Sequence, residues 1–247
     1  MSGIRLEGIR VAFPGRLVFD DFSLTIPEGK ITCLMGPSAC GKTTLLRVLA
    51  GLLAPQAGRC TGLPAGPVSM VFQEPRLLPW ATVRENIALV LPPHEGEGTM
   101  VEHLMEELGL APYAGAYPHQ LSGGLKQRVG LARALAFPSP LLLMDEPFLS
   151  LDLVLLSKTL RVFHRLWKEQ PRTTVLVSHR LEEPLLLADH VLILGGNPTR
   201  VLAILDHPAP HGVEEMTDPR LLPLERGIRR ALASIEESRT SGRTSPS

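Results

Sequence analysis

Residues 31–44 read "ITCLMGPSACGKTT", and this stretch decides the fold. Ile31–Met35 is a short run without charge, typical of a strand that is buried on both faces of a sheet. Residues 36–43 then match the pattern G-x-x-x-x-G-K-[ST], which joins such a strand to a helix. We expect that helix from about Lys42 to Ala50. The stretch therefore predicts a strand, a glycine-rich turn and a helix in direct succession.

The turn has the residues needed to hold phosphate. Gly36 and Gly41 let the backbone turn tightly and point N–H groups at an anion. Lys42 would reach the β- and γ-phosphates, and the Thr43 hydroxyl would coordinate Mg²⁺. A further carboxylate is expected at the end of a second buried strand, where "LLLMDEP" supplies Asp145. We therefore predict a nucleoside-triphosphate site. Asp145 taken alone could be a helix N-cap, but its presence together with the first motif favours the nucleotide role.

Glu146 follows directly and suggests hydrolysis. A carboxylate one residue beyond the magnesium ligand can face the terminal phosphate and orient or deprotonate a water molecule. The alternative is a solvated glutamate in a loop.

The amino-acid composition argues against several classes of protein. The chain has 247 residues, with 25 basic and 25 acidic side chains, so nothing favours a nucleic-acid binder that works by bulk charge. No uncharged apolar run approaches the ~20 residues of a membrane-spanning helix. The three cysteines contain no CxxC pair, and an odd number argues against a disulfide framework. These features predict a soluble, cytosolic protein.

The rest of the chain alternates strands with helices. Apolar and polar residues alternate between 4 and 26, which predicts strands there. Further strands are expected at 68–72, 141–144, 174–177, 191–194 and 201–205. Apolar strands separated by helical stretches indicate an α/β fold with a parallel sheet covered on both faces.

The pattern becomes helical between about 77 and 137. Thr99 and Glu102 have the spacing of a capping box, and Gly109 is placed to end that helix. Its apolar face would comprise Val101, Leu104, Met105 and Leu108. The last residues, "SRTSGRTSPS" at 238–247, are polar and are predicted to be disordered.

A second glycine-rich turn lies at 121–127, "LSGGLKQ". A serine and two glycines at the start of a helix can offer a hydroxyl and backbone N–H groups to an anion. The pattern by itself is common at ordinary turns.

In order with the other motifs, this turn resembles the signature of the ATP-binding-cassette (ABC) ATPases. "LSGGLKQ" lies just upstream of "LLLMDEP", Gln73 follows one strand and His179 follows another. The resemblance covers about residues 3–205. It implies a P-loop NTPase (RecA-like) core with an N-terminal antiparallel β subdomain, at about 1–76 and 138–205. An inserted α-helical signature subdomain would occupy about 77–137, followed by a C-terminal tail at 206–247.

The resemblance also implies why one chain has two phosphate-binding turns. In ABC ATPases two subunits pack head to tail, and the signature turn of each closes over the ATP of the other. Ser122, Gly123 and Gly124 would therefore contact the nucleotide of a partner, either a second copy or another cassette subunit. ATP and Mg²⁺ are the implied cofactors, and no nucleic acid is expected.

Further residues take their roles from this resemblance. Gln73 would sense the γ-phosphate and Mg²⁺, and His179 would hold the γ-phosphate and Glu146 in place. Leu151 and Asp152 resemble the loop through which the subunits sense each other. Phe13 is either an aromatic stacked on adenine or a core residue. The implied catalytic residues are Lys42, Gln73, Glu146 and His179; the magnesium ligands are Thr43, Gln73 and Asp145; the nucleotide contacts are Phe13, Gly36, Pro37, Ser38, Ala39, Cys40, Gly41, Lys42, Thr43, Thr44, Ser122, Gly123 and Gly124.

Three residues depart from the family pattern. Ala39 stands where another glycine is common, and Arg180 replaces an acidic residue after the histidine. Pro184 falls in the following helical stretch, so that helix either starts late or is kinked. None of these removes a catalytic group. Cys40 is interpreted as a site prone to oxidation or alkylation.

Residues 73–87, "QEPRLLPWATVRENI", resemble importer cassettes of the nitrate, sulfonate and taurine group. This implies separate permease subunits, an extracytoplasmic solute-binding protein and a peripheral location on the cytoplasmic face of the membrane. Leu77, Leu78 and Trp80, flanked by Arg76 and Arg84, either anchor a permease helix or pack internally.

Two other functions remain open: a nucleotide-binding regulator that hydrolyses little, and an ABC ATPase outside transport. The histidines His94, His103, His119 and His164 lack metal-ligand spacing and are interpreted as surface or packing residues.

Overall fold

The computed structural model describes residues 3–91, 97–207 and 215–241. In chain order, the strands are β1 (Gly3–Phe13), β2 (Arg16–Pro27), β3 (Ile31–Met35), β4 (Ala57–Thr61), β5 (Val68–Val71), β6 (Leu141–Asp145), β7 (Thr173–Val177), β8 (His190–Gly195) and β9 (Arg200–Asp206). The helices are α1 (Lys42–Leu49), α2 (Val83–Ala88), α3 (Glu97–Glu107), α4 (Gly123–Ala136), α5 (Leu153–Glu169), α6 (Glu182–Leu187) and α7 (Leu222–Ser241). Contacts group the chain into two compact units, one before 65 and after 172 and the other at 65–172.

The first unit contains an antiparallel sheet and a mostly parallel one. Strands β2, β1 and β4 pair antiparallel in that order, and Leu6 lies opposite both Leu24 and Cys60. In the other sheet β3 runs parallel to β7 and β8, and β9 returns antiparallel to β8. The predicted N-terminal antiparallel strands and buried parallel strands are confirmed, whereas β4 was not predicted.

In its described residues, 65–91 and 97–172, the second unit combines a parallel strand pair with helices α2, α3, α4 and α5. Strands β5 and β6 run parallel, with Val71 opposite Met144. Helix α4 packs against α2, α3 and β5. Helix α5 buries one face that includes Leu156, Leu160 and Phe163. The predicted subdomain boundaries at about 77 and 137 stay a prediction.

Helix α3 has the predicted apolar face but a different start. Its face residues Val101, Leu104, Met105 and Leu108 are all buried. Gly109 has a φ of 63°, and its N–H and that of Leu110 return to the carbonyls of Glu106 and Met105, which is a Schellman ending. The prediction that Thr99 caps the helix is wrong, because Glu97 is already helical and Thr99 lies inside the first turn.

The C-terminal region is more ordered than its composition indicated. Helix α7 extends to Ser241, so the prediction of disorder from 238 is wrong for 238–241. Residues 242–247 lie outside the described residues. The helix forms because Leu224, Ile228 and Ile235 share a face that is buried, and it packs on β8 and β9.

Among the helices of the described ranges, none combines the length and hydropathy needed to cross a bilayer.

Candidate nucleotide-binding site

Backbone geometry explains both glycines of the first phosphate-binding turn, which we call the phosphate loop (residues 36–43). Gly36 and Gly41 have φ values of 142° and 100°. A Cβ on Gly36 would lie 2.1 Å from the Leu194 carbonyl oxygen, and one on Gly41 would lie 2.7 Å from Val18 Cγ1. Side chains are therefore excluded at both positions by the backbone conformation and by space.

Ala39 shares this left-handed conformation without being a glycine. Its φ is 62°, a region in which an L-residue with a Cβ is strained by about 1–2 kcal/mol. The departure noted in the sequence therefore has a physical cost, and the phosphate loop retains its shape in spite of it.

Lys42 lies at the first residue of α1 and folds back over the loop. Its Nζ donates to the carbonyl oxygens of Gly36 and Pro37, both at 2.8 Å, and the side chain is buried. An ammonium group held at this point would be within reach of phosphate oxygens in the loop. Thr43 is exposed and Thr44 is half-buried in the first turn of α1, and their contacts with Mg²⁺ and nucleotide stay predictions.

A cavity of about 760 Å³ lies beside the phosphate loop in this unit. It is lined by β2, by loop residues, by the β8–β9 turn and by α7; the lining residues are Arg16, Leu17, Val18, Pro37, Ser38, Ala39, Cys40, Gly196, Asn197, Thr199, Leu202, Ser234 and Ile235. Phe13, at the end of β1, is 42% exposed. It therefore lies outside the core, and its interpretation as an adenine contact stays a prediction.

His179 lies at the same edge of the parallel sheet as the phosphate loop. Strands β3 and β7 are parallel neighbours, and the Ser178 N–H donates to the Leu34 carbonyl at 3.1 Å. His179 and Gly36 therefore follow the carboxyl ends of adjacent strands, where α/β proteins place their ligands. His179 is exposed, and Ser178 shapes its turn by accepting from the Arg180 N–H at 3.0 Å.

Pro184 does not kink α6. The helix begins at Glu182, so the proline occupies its first turn, where a backbone N–H has no partner within the helix. Of the two alternatives left open, the structure supports a short helix that starts just before the proline.

In the second unit, Gln73, Asp145 and Glu146 gather at one edge. Strands β5 and β6 are parallel with Val71 opposite Met144, so the residues that follow them emerge together. Asp145 is the last residue of β6 and is buried, which removes the helix N-cap alternative. Glu146 is half-buried with a φ of 49°, unlike a relaxed, solvated loop residue. Strain of this kind is concentrated at functional sites.

The signature turn forms the start of α4. Ser122 is its N-cap and accepts a hydrogen bond from the Leu125 N–H at 3.3 Å. Ser122 and Gly123 are exposed and Gly124 is half-buried. The end of a helix therefore presents a hydroxyl and backbone N–H groups at the surface, which is the arrangement that binds anions.

The loop after β6 supports this turn from behind. Leu151 is buried, and a Cβ on Gly124 would lie 3.0 Å from its Cδ2 atom. Asp152 is exposed and caps α5 by accepting from the Leu155 N–H at 2.9 Å. Both residues thus have structural roles, and the part they would take in contact between subunits stays a prediction.

The segment after Gln73 is held by two side chains that the sequence did not single out. The Asn86 amide accepts from the Leu78 N–H at 2.8 Å and donates to three backbone carbonyls of residues 78–82. Arg133 donates to the Pro75 carbonyl at 2.8 Å, and burial lowers the pKa of its guanidinium. The segment is therefore rigid, and Trp80 projects from it with 74% of its surface exposed.

The histidines agree with packing and surface roles where the structure describes them. His103 lies 3.6 Å from a Glu169 carboxylate oxygen, and His119 stacks on Tyr117 with ring centroids 6.0 Å apart. His164 is buried beside Trp167. His94 lies outside the described residues.

The predicted magnesium ligands divide between the units, with Thr43 on the first and Gln73 and Asp145 on the second. Their joint site therefore stays a prediction, as does the catalytic group of Lys42, Gln73, Glu146 and His179.

Comparison with known proteins decides the family. A protein-family model described as "ABC transporter" matches residues 19–149. The matched segment runs from β2 through the phosphate loop and the signature turn to the residues just after Glu146. The chain belongs to the ABC transporter family. This match confirms the resemblance drawn from the motifs. The protein is accordingly an ATPase with the P-loop NTPase fold.

Individual proteins of known name are similar to this chain over more of its length than the family model covers. The aliphatic sulfonates import ATP-binding protein SsuB 2 of Pseudomonas syringae pv. tomato is 38% identical over 93% of this ABC chain and 96% of its own length. The SsuB 1 protein of Streptomyces avermitilis is 40% identical over 90% and 84%, respectively. Among solved structures, the dimeric ATP-binding cassette MJ0796 bound to ADP and Pi has a TM-score of 0.71 and 25% identity, over 82% of this chain and 98% of that one.

Sequence reasoning missed five residues that hold the candidate site residues of the two units in place: Arg16, Asn86, Gln127, Arg133 and Thr199. Asn86 is four residues from Thr82 on α2, and that local spacing could have drawn attention to it. The others act on distant parts of the chain, for which no local pattern exists.

Proposed function

We propose that this chain is the ATP-hydrolysing subunit of an importer for aliphatic sulfonates or related small anions. The observation that carries the proposal is the 38% identity to an aliphatic sulfonates import ATP-binding protein over 93% of the chain. The geometry of the phosphate loop supports the ATP-binding part, because it positions Lys42 and the backbone for phosphate. The solute would cross the membrane through separate permease subunits and need not bind this chain. The identity of the solute is therefore supported by sequence similarity to the sulfonate-import relative and not by a pocket of this chain.

The residues of both units suit ATP hydrolysis. Thr43, Gln73 and Asp145 offer hydroxyl, amide and carboxylate oxygens, the donor types that Mg²⁺ prefers. The bound ion would neutralise charge on the phosphates. Glu146 would orient or deprotonate the attacking water, and His179 would hold the terminal phosphate.

We further propose a head-to-tail pair of subunits, formed by two copies or by this chain and another cassette. The exposed turn of Ser122 and Gly123 at the start of α4 supports this pairing. The turn offers an anion site in addition to the phosphate loop, and a partner's nucleotide could occupy it. The solved cassette MJ0796 is itself described as dimeric.

Trp80 supports docking onto a permease at the cytoplasmic face of the membrane. Of the two interpretations of the 77–80 segment, internal packing does not describe a tryptophan that is 74% exposed. Leu77 and Leu78 are half-buried beside it, and Arg76 stacks over the Phe72 ring at 3.8 Å. An aromatic side chain on a rigid segment with a charged rim is typical of an interface anchor. A solute-binding protein would complete the importer outside the membrane.

The proposal is tested by uptake in the source organism. The gene is deleted, and cells carrying the native gene or the K42A variant on a plasmid are given radiolabelled ethanesulfonate, taurine or nitrate. We expect loss of ethanesulfonate uptake, restored by the native gene and not by K42A. Normal uptake of all three anions after deletion would contradict the proposed substrate class. ATP turnover by the purified chain is measured in parallel, since turnover near zero would favour the regulator function instead.

A further inference from the structure

Thr199, in the turn between β8 and β9, forms a hydrogen bond to the phosphate loop. Thr199 is 3% exposed, and its hydroxyl donates to the Cys40 carbonyl. Its backbone N–H donates to the Val18 carbonyl at 2.8 Å. Thr199 therefore joins the turn, strand β2 and the phosphate loop.

A second side chain holds the neighbouring carbonyl. The Arg16 guanidinium donates to the carbonyl of Ala39, the strained residue of the loop. Arg16 is exposed, whereas Thr199 is buried. Losing a buried hydrogen bond leaves an unsatisfied group and costs more than losing an exposed one, so Thr199 should matter more.

These contacts set the direction of the groups that would bind phosphate. In a planar trans peptide the carbonyl and the following N–H point in opposite directions. Holding the Cys40 carbonyl therefore aims the Gly41 N–H the other way. The Cys40 N–H, which follows the carbonyl held by Arg16, donates to the Pro37 carbonyl at 3.3 Å within the loop. A phosphate loop binds its anion through such N–H groups. Thr199 thus acts on the direction of the Gly41 N–H, and Arg16 supports the conformation of the loop itself.

We propose that Thr199 is a positioning residue for ATP, which keeps the phosphate loop in its binding conformation by holding the Cys40 carbonyl, with Arg16 as a weaker second support. The need for such support follows from Ala39, because a left-handed alanine makes this loop less stable than a glycine would. The inference rests on the proposed ATP site and does not depend on transport.

The expected effect is on binding rather than on chemistry. A loop that spends only part of its time in the binding conformation has an apparent Kd raised by the inverse of that fraction. We expect T199V, which has nearly the same shape but no hydroxyl, to raise the Kd for ATP about five- to tenfold. The KM should rise similarly while kcat stays within about twofold. R16M should raise the Kd about two- to threefold.

The experiment measures ATP binding to the purified full chain by calorimetry at fixed Mg²⁺. T199S retains the hydroxyl and should bind ATP as the native chain does. T173V is the matched control, because Thr173 is also a buried threonine and accepts from the Gly29 N–H at 2.9 Å. It lies at the start of β7, the sheet edge opposite the phosphate loop, so T173V should lower the melting temperature and leave the Kd unchanged.

The outcomes separate this inference from the proposed function. T199V binding within twofold of the native chain, or T173V weakening binding as much as T199V does, would overturn the inference. Should T199V fail to fold, R16M tests the same idea, and an unchanged Kd would overturn it. Absence of ATP binding by the native chain would instead contradict the proposed function.

Discussion

The side-chain oxygen of Gln127 on α4 accepts a hydrogen bond from the backbone N–H of Ser150 at 2.8 Å. Gln127 is buried, and Ser150 lies in the loop between Glu146 and α5. A Cβ on Gly123 would lie 3.5 Å from Ser150 Cβ, so the signature turn and this loop are close neighbours. The proposed anion site and the proposed catalytic carboxylate are thereby linked within one unit.

Removing that acceptor should weaken both stability and turnover. In Q127M the Ser150 N–H loses its partner, which should lower the free energy of unfolding by about 1–2 kcal/mol. Turnover should fall several-fold because the loop that carries Glu146 is less well positioned. Urea unfolding and steady-state ATPase assays measure the two effects. K126M, which alters the neighbouring half-buried side chain, is the control, and unchanged turnover in Q127M would limit Gln127 to a structural role.

Replacing Ala39 with glycine should make the folded protein more stable. Its φ of 62° strains an alanine by about 1–2 kcal/mol, while glycine loses about 0.5–1 kcal/mol more in conformational entropy on folding. We expect A39G to raise the melting temperature slightly. A50G is the control, since Ala50 has a φ of −76° and should gain nothing from glycine. Equal shifts for both variants would show that the strain at Ala39 is not relieved.

Glu146 should be required for hydrolysis and not for ATP binding. Because a positioned general base contributes about 10²–10⁴-fold in rate, E146Q should lose turnover by a comparable factor. ATP should then persist between subunits, and light scattering should detect a dimer in its presence. Turnover equal to that of the native chain would exclude the proposed role of the carboxylate.

Trp80 should matter for the permease and not for the fold. Since 74% of its surface is exposed, W80A should leave the melting temperature unchanged. An aromatic anchor is worth about 2 kcal/mol or more at an interface, so W80A should reduce retention of the chain on membranes from the source organism. Y113A, which truncates another exposed aromatic residue, is the control. Equal retention of W80A and Y113A would argue against this docking site.

Some local features could be predicted because their causes are local. The Gly36–Thr43 turn, the strand before it and the helix after it depend on residues within a few positions of one another. The ending of α3 at Gly109 is similar, since it requires only an apolar face and a residue that accepts positive φ. Helix α7 was not predicted, although its buried residues Leu224, Ile228 and Ile235 have helical spacing, and the residues after 205 were assigned to a C-terminal tail.

The sequence by itself determined the family, the phosphate loop, the signature turn and the identity of the candidate catalytic groups, because each is encoded by short patterns of residue type. Only the tertiary structure decided how those groups are held. Thr199 supports Cys40 across 159 residues, and Gln127 supports Ser150 across 23. Such contacts depend on where the folded chain returns to itself, which no local pattern records. Exposure is decided in the same way: Trp80 and Leu151 are both apolar, and only their neighbours in space leave one at the surface and bury the other.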